Sequence, residues 1–369
     1  MSANVKSNVK SSVTSVNKTL MVMAGGTGGH VYPAMAVADE LQSRGWNVVW
    51  LATEGGMENR LIAGKSYAVA VINMKGVRGK GLLRLISLPF QLLKACAQSF
   101  TEIKKYQPNV VLGMGGFAAF PGGLMAWLMQ RPLVIHEQNS VAGLTNKVLA
   151  KLAKKVLVAF PAAFKGKASL VGNPVRSDIT VLESPEARFS GRTGAMRWLI
   201  VGGSLGAQAL NDVVPKALAL IPDAQRPTVI HQAGEKHIAA LQANYQAAGV
   251  DANAKAFIND MAAMYAWADC VICRAGALTI AELSAAGVAS VLVPFPFAVD
   301  DHQTTNAAYL VDAGAALLVQ QSDLTEAVLL KILQDLSREK CVEMAIKARS
   351  LGKLDATKAV ADICMELAL

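Results

Sequence analysis

Cysteine is scarce in this chain and widely scattered. Five cysteines in 369 residues (Cys96, Cys270, Cys273, Cys341 and Cys364) cannot form a disulfide framework, because such scaffolds are short chains dense in paired cysteines. Acidic residues are nearly missing from the first 160 positions, with 6 against 18 lysines and arginines, a balance of +12. The remainder carries 21 against 18, a balance of −3, so an anionic partner is expected to meet the first half. Aromatics make up 6% of the chain and do not interleave with the basic run, which argues against nucleic acid. No Asp-x-Asp pair occurs to bridge a metal to a diphosphate. Long apolar runs are also lacking. The uncharged stretch between Lys105 and Arg131 is broken by Gly113, Gly115, Gly116, Pro121, Gly122 and Gly123, whereas a spanning helix needs about 20 predominantly apolar residues. Residues 1–18 contain no apolar signal core and read as a disordered polar tail. A reducing cytoplasm is the expected compartment.

What is present points to a folded α/β protein. Hydrophobic residues make up 53% and charged residues 17%, which excludes a disordered chain, and 30 glycines without a three-residue period exclude collagen. Short apolar runs alternate with helical patterns: Leu20–Ala24, Asn47–Leu51, Val69–Ile72, Val110–Leu112, Leu133–Ile135 and Lys155–Val158 read as strands. The rhythm breaks from Phe160 to Arg192, the best linker, around Pro161, Pro174 and Pro185. It restarts at Trp198–Val201, Val229–His231, Ala254–Phe257, Cys270–Cys273 and Ala289–Val293, with helices at Leu324–Leu336 and Glu343–Ser350. Strands separated by helices imply right-handed crossovers and parallel sheets. MVMAGGTGGH (Met21–His30) and WLIVGGSLGA (Trp198–Ala207) repeat one pattern of strand, glycine turn and helix. Two Rossmann-like domains facing across a cleft are expected, with ligands beyond the carboxyl ends of the strands.

Gly25-Gly26-Thr27-Gly28-Gly29-His30 is the most informative run. Its glycines let a backbone approach a ligand, and the amides of the helix that follows favour an anion. His30 is placed to take a proton near neutral pH. The run fails both the Walker and the GxGxxG patterns. Gly202-Gly203-Ser204-Leu205-Gly206 matches the hydrolase elbow G-x-S-x-G, but a triad would have to combine His302 with an acid such as Asp269. A phosphate cradle suits that loop better. Gly113–Phe117 and Gly122-Gly123 form a further glycine loop, either an anion site or a plain turn. His136-Glu137-Gln138-Asn139 is a polar cluster at the end of a strand.

Thr279 and Glu282 have the spacing of a capping box, and Glu282 equally suits two ribose hydroxyls. Cys270 and Cys273 would point to opposite faces of one strand, so they read as core rather than as a metal or redox pair. Seven basic residues between Lys75 and Lys105 flank Leu82, Leu85, Ile86, Phe90 and Leu93. That pattern fits a helix lying on an anionic membrane, or a core-facing helix with a solvated basic side.

In order along the chain stand GGTGGH, GMGG…PGG, HEQN followed by AGLTNK, GNPVR, GGSxGA, ALTxxE and VPFP…DHQxxNA, from Gly25 to Ala307. This ordered set resembles the MurG family of bacterial glycosyltransferases. The resemblance implies two Rossmann-like domains of the GT-B type, 19–175 and 176–353, with a helix in 354–369 returning to the first. It implies an inverting hexosyltransferase of peptidoglycan and cell-wall synthesis, peripheral on the cytoplasmic face of the inner membrane and needing no metal or other cofactor. The donor would be UDP-N-acetylglucosamine. The acceptor would be lipid I, the undecaprenyl-diphosphate-linked muramoyl pentapeptide, and the product lipid II. Anionic inner-membrane lipids and other cell-wall synthesis proteins would be partners, and nucleic acid would not.

By the same resemblance His30 is the base, with Glu137 in reserve. Thr27, Gly28, Gly29 and Asn139 contact the donor side of the cleft, while Arg176 and Ser204 serve the nucleotide and its phosphates. Ile258 meets uracil, Glu282 meets ribose, and Ala277, Leu278, Thr279, Ile280, Ala281 and Gln303 contact the nucleotide sugar. Leu82, Leu85, Ile86 and Phe90, with Trp127, form the membrane patch. Leu205 and Gln208 depart from the GGSQGAR common in the family, and PFPFAVDDHQ stands where some members have QHKDRQQ. A related transferase with another acceptor, or a two-domain nucleotide-binding protein without turnover, shares many of these features.

Overall fold

The computed structural model describes residues 17–74, 82–164, 166, 168–203 and 206–368. Most of the expected polar tail, the basic residues Lys75, Arg78 and Lys80, and Ser204 with Leu205 lie outside the described residues, as do the side chains of Leu82, Leu85 and Ile86.

Two parallel sheets organise the chain. The first comprises β1 (Thr19–Met23), β2 (Asn47–Thr53), β3 (Ala68–Ile72), β4 (Val110–Gly113), β5 (Leu133–Glu137), β6 (Lys155–Val158) and β7 (Ser169–Leu170), in the order β3-β2-β1-β4-β5-β6-β7. The second comprises β8 (Arg197–Val201), β9 (Thr228–Gln232), β10 (Asn253–Lys255), β11 (Cys270–Cys273), β12 (Ala289–Leu292) and β13 (Ala316–Leu318), in the order β10-β9-β8-β11-β12-β13. Strands β4, β5, β11 and β12 are buried along their whole length, as sheets covered by helices on both faces require. Cys270 and Cys273 enter the cores on opposite faces of β11.

The sequence reading differs from the structure where side-chain pattern is weakest. The strand expected at Ala254–Phe257 is Asn253–Lys255, and β13 had no alternation to betray it. The stretch 160–192 is more than a linker: it supplies the edge strand β7 and the short helices Ser177–Thr180 and Pro185–Phe189. The closing helices run Glu326–Asp335, capped by Thr325, and Arg338–Leu351, capped by Ser337.

The chain crosses between the sheets twice. After the outbound crossing it returns near Lys353, and the final helix Ala356–Leu367 buries Val360, Ala361 and Cys364 in the first domain's core. Gly172 lies where the two crossings meet: a β-carbon there would stand 2.3 Å from that of Lys353, and its φ is +87°. Only glycine fits.

Candidate active site

In each sheet the strand order reverses beside the first strand, between β1 and β4 and between β8 and β11, and the glycine loops emerge there. In the first domain the loop after β1 leads into the helix Gly28–Ser43, whose N-cap is Thr27. Gly28, Gly29 and His30 thus form the first helical turn, where main-chain amides favour an anion. The loop after β4 lies directly against the first. Gly25 N–H donates to Gly115 O at 3.3 Å, and a β-carbon on Gly116 would come within 2.7 Å of the Gly25 backbone. One on Gly115 would stand 3.0 Å from the His30 ring. This second glycine loop therefore makes room for the imidazole, which a plain turn would not require.

Glu58, buried in the short helix Met57–Leu61, accepts from Thr53 N–H at 2.9 Å, from Thr53 Oγ1 at 2.7 Å and from Gly26 N–H at 3.3 Å. It ties the first glycine loop to the end of β2. A single glutamate in a short helix carries no signal of this in the sequence.

The HEQN cluster resolves into separate tasks. Glu137 is buried and saturated: Oε1 accepts from Asn139 N–H at 3.0 Å and from its Nδ2 at 3.3 Å, while Oε2 accepts from Gly143 N–H at 3.0 Å and Asn146 Nδ2 at 2.8 Å. This corrects its reading as a reserve base. A carboxylate already holding four donors inside the protein shapes the 137–146 loop and is not presented to a substrate. Gln138 Oε1 lies 2.8 Å from His30 Nδ1. Asn139 faces the second domain, where the buried Asn306 clasps the loop. Asn306 Oδ1 accepts from Ser140 N–H at 2.9 Å and from its Oγ at 2.8 Å, while Asn306 Nδ2 donates to Ala275 O at 3.3 Å.

On the second domain, Glu282 is buried in the helix Ala277–Ala286, accepts from Tyr265 Oη at 3.0 Å and lies 3.8 Å from Arg176 Nη2. Burial pushes its carboxyl up to about 7, against the opposing pull of Arg176 and Tyr265. The helix is capped at Gly276, so the capping-box alternative for Thr279 and Glu282 does not hold. The Ile280 side chain is fully buried in the core and so is not a ligand contact, because consecutive helical side chains cannot all face one side. The Ile258 side chain is likewise buried, leaving its main chain for any contact. Gln303 Oε1 accepts from Ala275 N–H at 3.2 Å and Phe295 N–H at 2.9 Å, clamping the loops after β11 and β12 together. Asp269 sits at the opening end of β11, away from the glycine loops, and is paired with Arg192 and Arg338. A hydrolase triad through Asp269 is therefore excluded. Across the cleft, the helix Gly28–Ser43 approaches the helix Ala277–Ala286.

Residues 20–158 match the N-terminal domain model of glycosyltransferase family 28, and 198–364 match its C-terminal domain model. A Dechloromonas aromatica protein named UDP-N-acetylglucosamine–N-acetylmuramyl-(pentapeptide) pyrophosphoryl-undecaprenol N-acetylglucosamine transferase is 56% identical over 96% of this chain and all of its own length. A Burkholderia thailandensis protein of the same name is 55% identical over 96% of this chain and 98% of its own. The crystal structure of Acinetobacter baumannii MurG superposes with a TM-score of 0.84 at 44% identity, covering 95% of this chain and 99% of that one. The chain belongs to the MurG family. A kitacinnamycin glycosyltransferase, at 14% identity and TM-score 0.69 over 96% of this chain and all of that one, shares the fold alone.

In this MurG-family chain the basic, apolar segment forms the helix Leu82–Tyr106. Ala95, Ser99 and Ile103 face inward, at spacing four, while Phe90 and Leu93 stand 74% and 68% exposed. Lys94, Lys104 and Lys105 are exposed on the same helix. Trp127 and Leu128 are exposed on the helix Ala119–Leu128, which packs beside it. The described part of the segment thus has both faces that the sequence left as alternatives: one in the core and one apolar toward solvent. Among the described residues no helix is long and apolar enough to cross a membrane, and no three His, Cys, Asp or Glu side chains are grouped to hold a metal ion. Glu58, Gln138 and Tyr265 carry no site signal in the sequence, because the bonds that tie them to Gly26, His30 and Glu282 span 32, 108 and 17 positions.

Proposed function

We propose that this chain transfers N-acetylglucosamine from UDP-N-acetylglucosamine to the C4 hydroxyl of the lipid-linked muramoyl pentapeptide, with inversion, at the cytoplasmic face of the inner membrane. The observation that carries the reading is His30. Its imidazole rises from the first turn of a helix at the switch point of the first sheet, and Nε2 is bonded to none of the described residues. The acceptor belongs on this first domain and the UDP moiety on the second, around Glu282 and Arg176. His30 Nε2 takes the hydroxyl proton as the oxygen attacks the anomeric carbon, and the bond from that carbon to the UDP oxygen breaks on the opposite face. The departing anion is met by main-chain amides at the helix starts after Gly276 and after Ala207, together with Arg176. These groups support chemistry without a metal. Incubation with labelled donor and a short-chain lipid I analogue in EDTA tests the whole reading: label should reach the lipid as UDP is released. Tight UDP binding without transfer would leave the acceptor assignment unsupported.

Glu282 makes donor binding pH-dependent. Because its carboxyl titrates near 7, the ionised form that accepts ribose hydroxyls grows as pH rises from 6 to 8, and UDP affinity should tighten over that range. The same raised value means that this group's contribution to stability is full below the ordinary carboxyl range and fades as pH climbs through 7. Glu282→Gln should weaken UDP binding roughly tenfold at pH 8 and flatten the wild-type difference. An undiminished pH dependence in the variant, measured by calorimetry, would assign the titration elsewhere.

The exposed Phe90 and Leu93, beside Lys94, support docking on anionic lipid. Replacing both with serine should weaken binding to phosphatidylglycerol vesicles by roughly tenfold or more, since a fully buried large apolar side chain is worth about 1.5–3 kcal/mol. Unchanged sedimentation with vesicles would move the membrane face elsewhere.

A further inference from the structure

A chain of hydrogen bonds runs from the domain junction to His30, and chemistry fixes its direction. It starts at the main-chain carbonyl of Gly172, which can only accept. His136 Nε2 stands 2.9 Å from that oxygen and must carry the proton. His136 is fully buried, and burial pushes its pKa down to about 4, so the ring remains neutral with this single proton. Its Nδ1 is then a bare lone pair. Gln138 Nε2 lies 3.2 Å from that Nδ1 and 3.1 Å from His136 O, so the NH2 group of Gln138 donates to both. The carboxamide oxygen is thereby turned toward His30, 2.8 Å from its Nδ1. An amide oxygen accepts only, so His30 holds its proton on Nδ1 and keeps the lone pair on Nε2.

We infer that Gln138 is a positioning residue that sets the tautomer of His30, on an orientation imposed by the Gly172 carbonyl through His136. Nothing in the His30 ring itself selects this form, because a neutral imidazole can carry its proton on either nitrogen. The relay makes the nitrogen with no described partner the one that accepts a proton. The Gln138 amide does for this imidazole what a carboxylate does in a hydrolase triad, without placing a second charge in the cleft. Its catalytic meaning rests on the reading of His30 as the base.

The test uses the full chain with 15N-labelled histidine, in which imidazole nitrogen shifts report the tautomer directly and His30→Ala assigns the resonances. In the wild type, His30 should appear as the Nδ1–H form and His136 as the Nε2–H form. Gln138→Met, similar in size but unable to bond either ring, should move His30 toward Nε2–H. It should also lower kcat roughly tenfold or more, with the KM for the donor within about twofold. Gln138→Glu still accepts from Nδ1–H, so it should retain the His30 tautomer and recover part of the lost kcat. A wild-type His30 already in the Nε2–H form would overturn the relay, whatever the variants do. So would a loss of kcat in Gln138→Met with the tautomer unmoved. A tautomer switch with kcat unchanged would leave the relay standing and overturn His30 as the base.

Discussion

Replacing His30 with alanine should lower turnover by about 10²–10⁴-fold while UDP affinity stays within about threefold, the range expected for removal of a positioned general base. The asymmetry follows from the geometry. His30 belongs to the first domain, at the start of the helix Gly28–Ser43, whereas Glu282 and Arg176 form an ion pair in the second domain's half of the cleft. A sugar hydroxyl attacks poorly while it holds its proton, so the loss should appear in the chemical step and spare donor binding. Steady-state rates with the lipid acceptor, set beside calorimetric UDP titration, separate the two. Equal losses in both would show that His30 serves nucleotide binding or local structure, and the base assignment would fall.

The largest effect on stability is expected at Asp269, far from the chemistry. Its carboxylate is wholly buried, with Oδ1 at 2.7 Å from Arg192 Nη1 and Oδ2 at 3.0 Å from Arg338 Nη2, and it also accepts from Arg197 N–H at 3.0 Å. One side chain thus joins the end of the inter-sheet stretch, the opening edge of β8 and β11, and the helix Arg338–Leu351. Asp269→Ala leaves two largely buried guanidinium groups without their counter-charge and should cost about 3–5 kcal/mol. Urea unfolding would show this as a lower midpoint with little change in slope. Asp269→Asn, which retains the shape and some of the hydrogen bonds, should lose less. A loss below about 1 kcal/mol for the alanine variant would mean that the carbonyls already around Arg192 and Arg338 suffice to hold them.

Where structure depends on local pattern, it was legible from residues alone. Buried parallel strands are short apolar runs, so β1, β2, β4, β5, β8, β11 and β12 could be found by inspection. Glycine runs directly after strands marked the turns at which both switch points lie. The placement of Cys270 and Cys273 on opposite faces followed from the two-residue period of a strand. The edge strands β7, β10 and β13 were missed or misplaced, being two or three residues long with no run to reveal them.

The sequence by itself determined the parallel α/β architecture in two halves, the glycine turns, the basic character of the first half and, through an ordered set of motifs, the family. Only the tertiary structure decided what individual polar residues do. Glu137 looked like a base and is the saturated centre of a loop. Gln138, one position on, looked incidental and meets an imidazole 108 residues away. Ser140 and Asn306, 166 positions apart, close the contact between the domains. Apolar periodicity is a local property, set by how each residue faces its own helix or strand. The role of a buried carboxylate or amide depends on which donors and acceptors surround it, and folding brings those from parts of the chain that no local pattern connects.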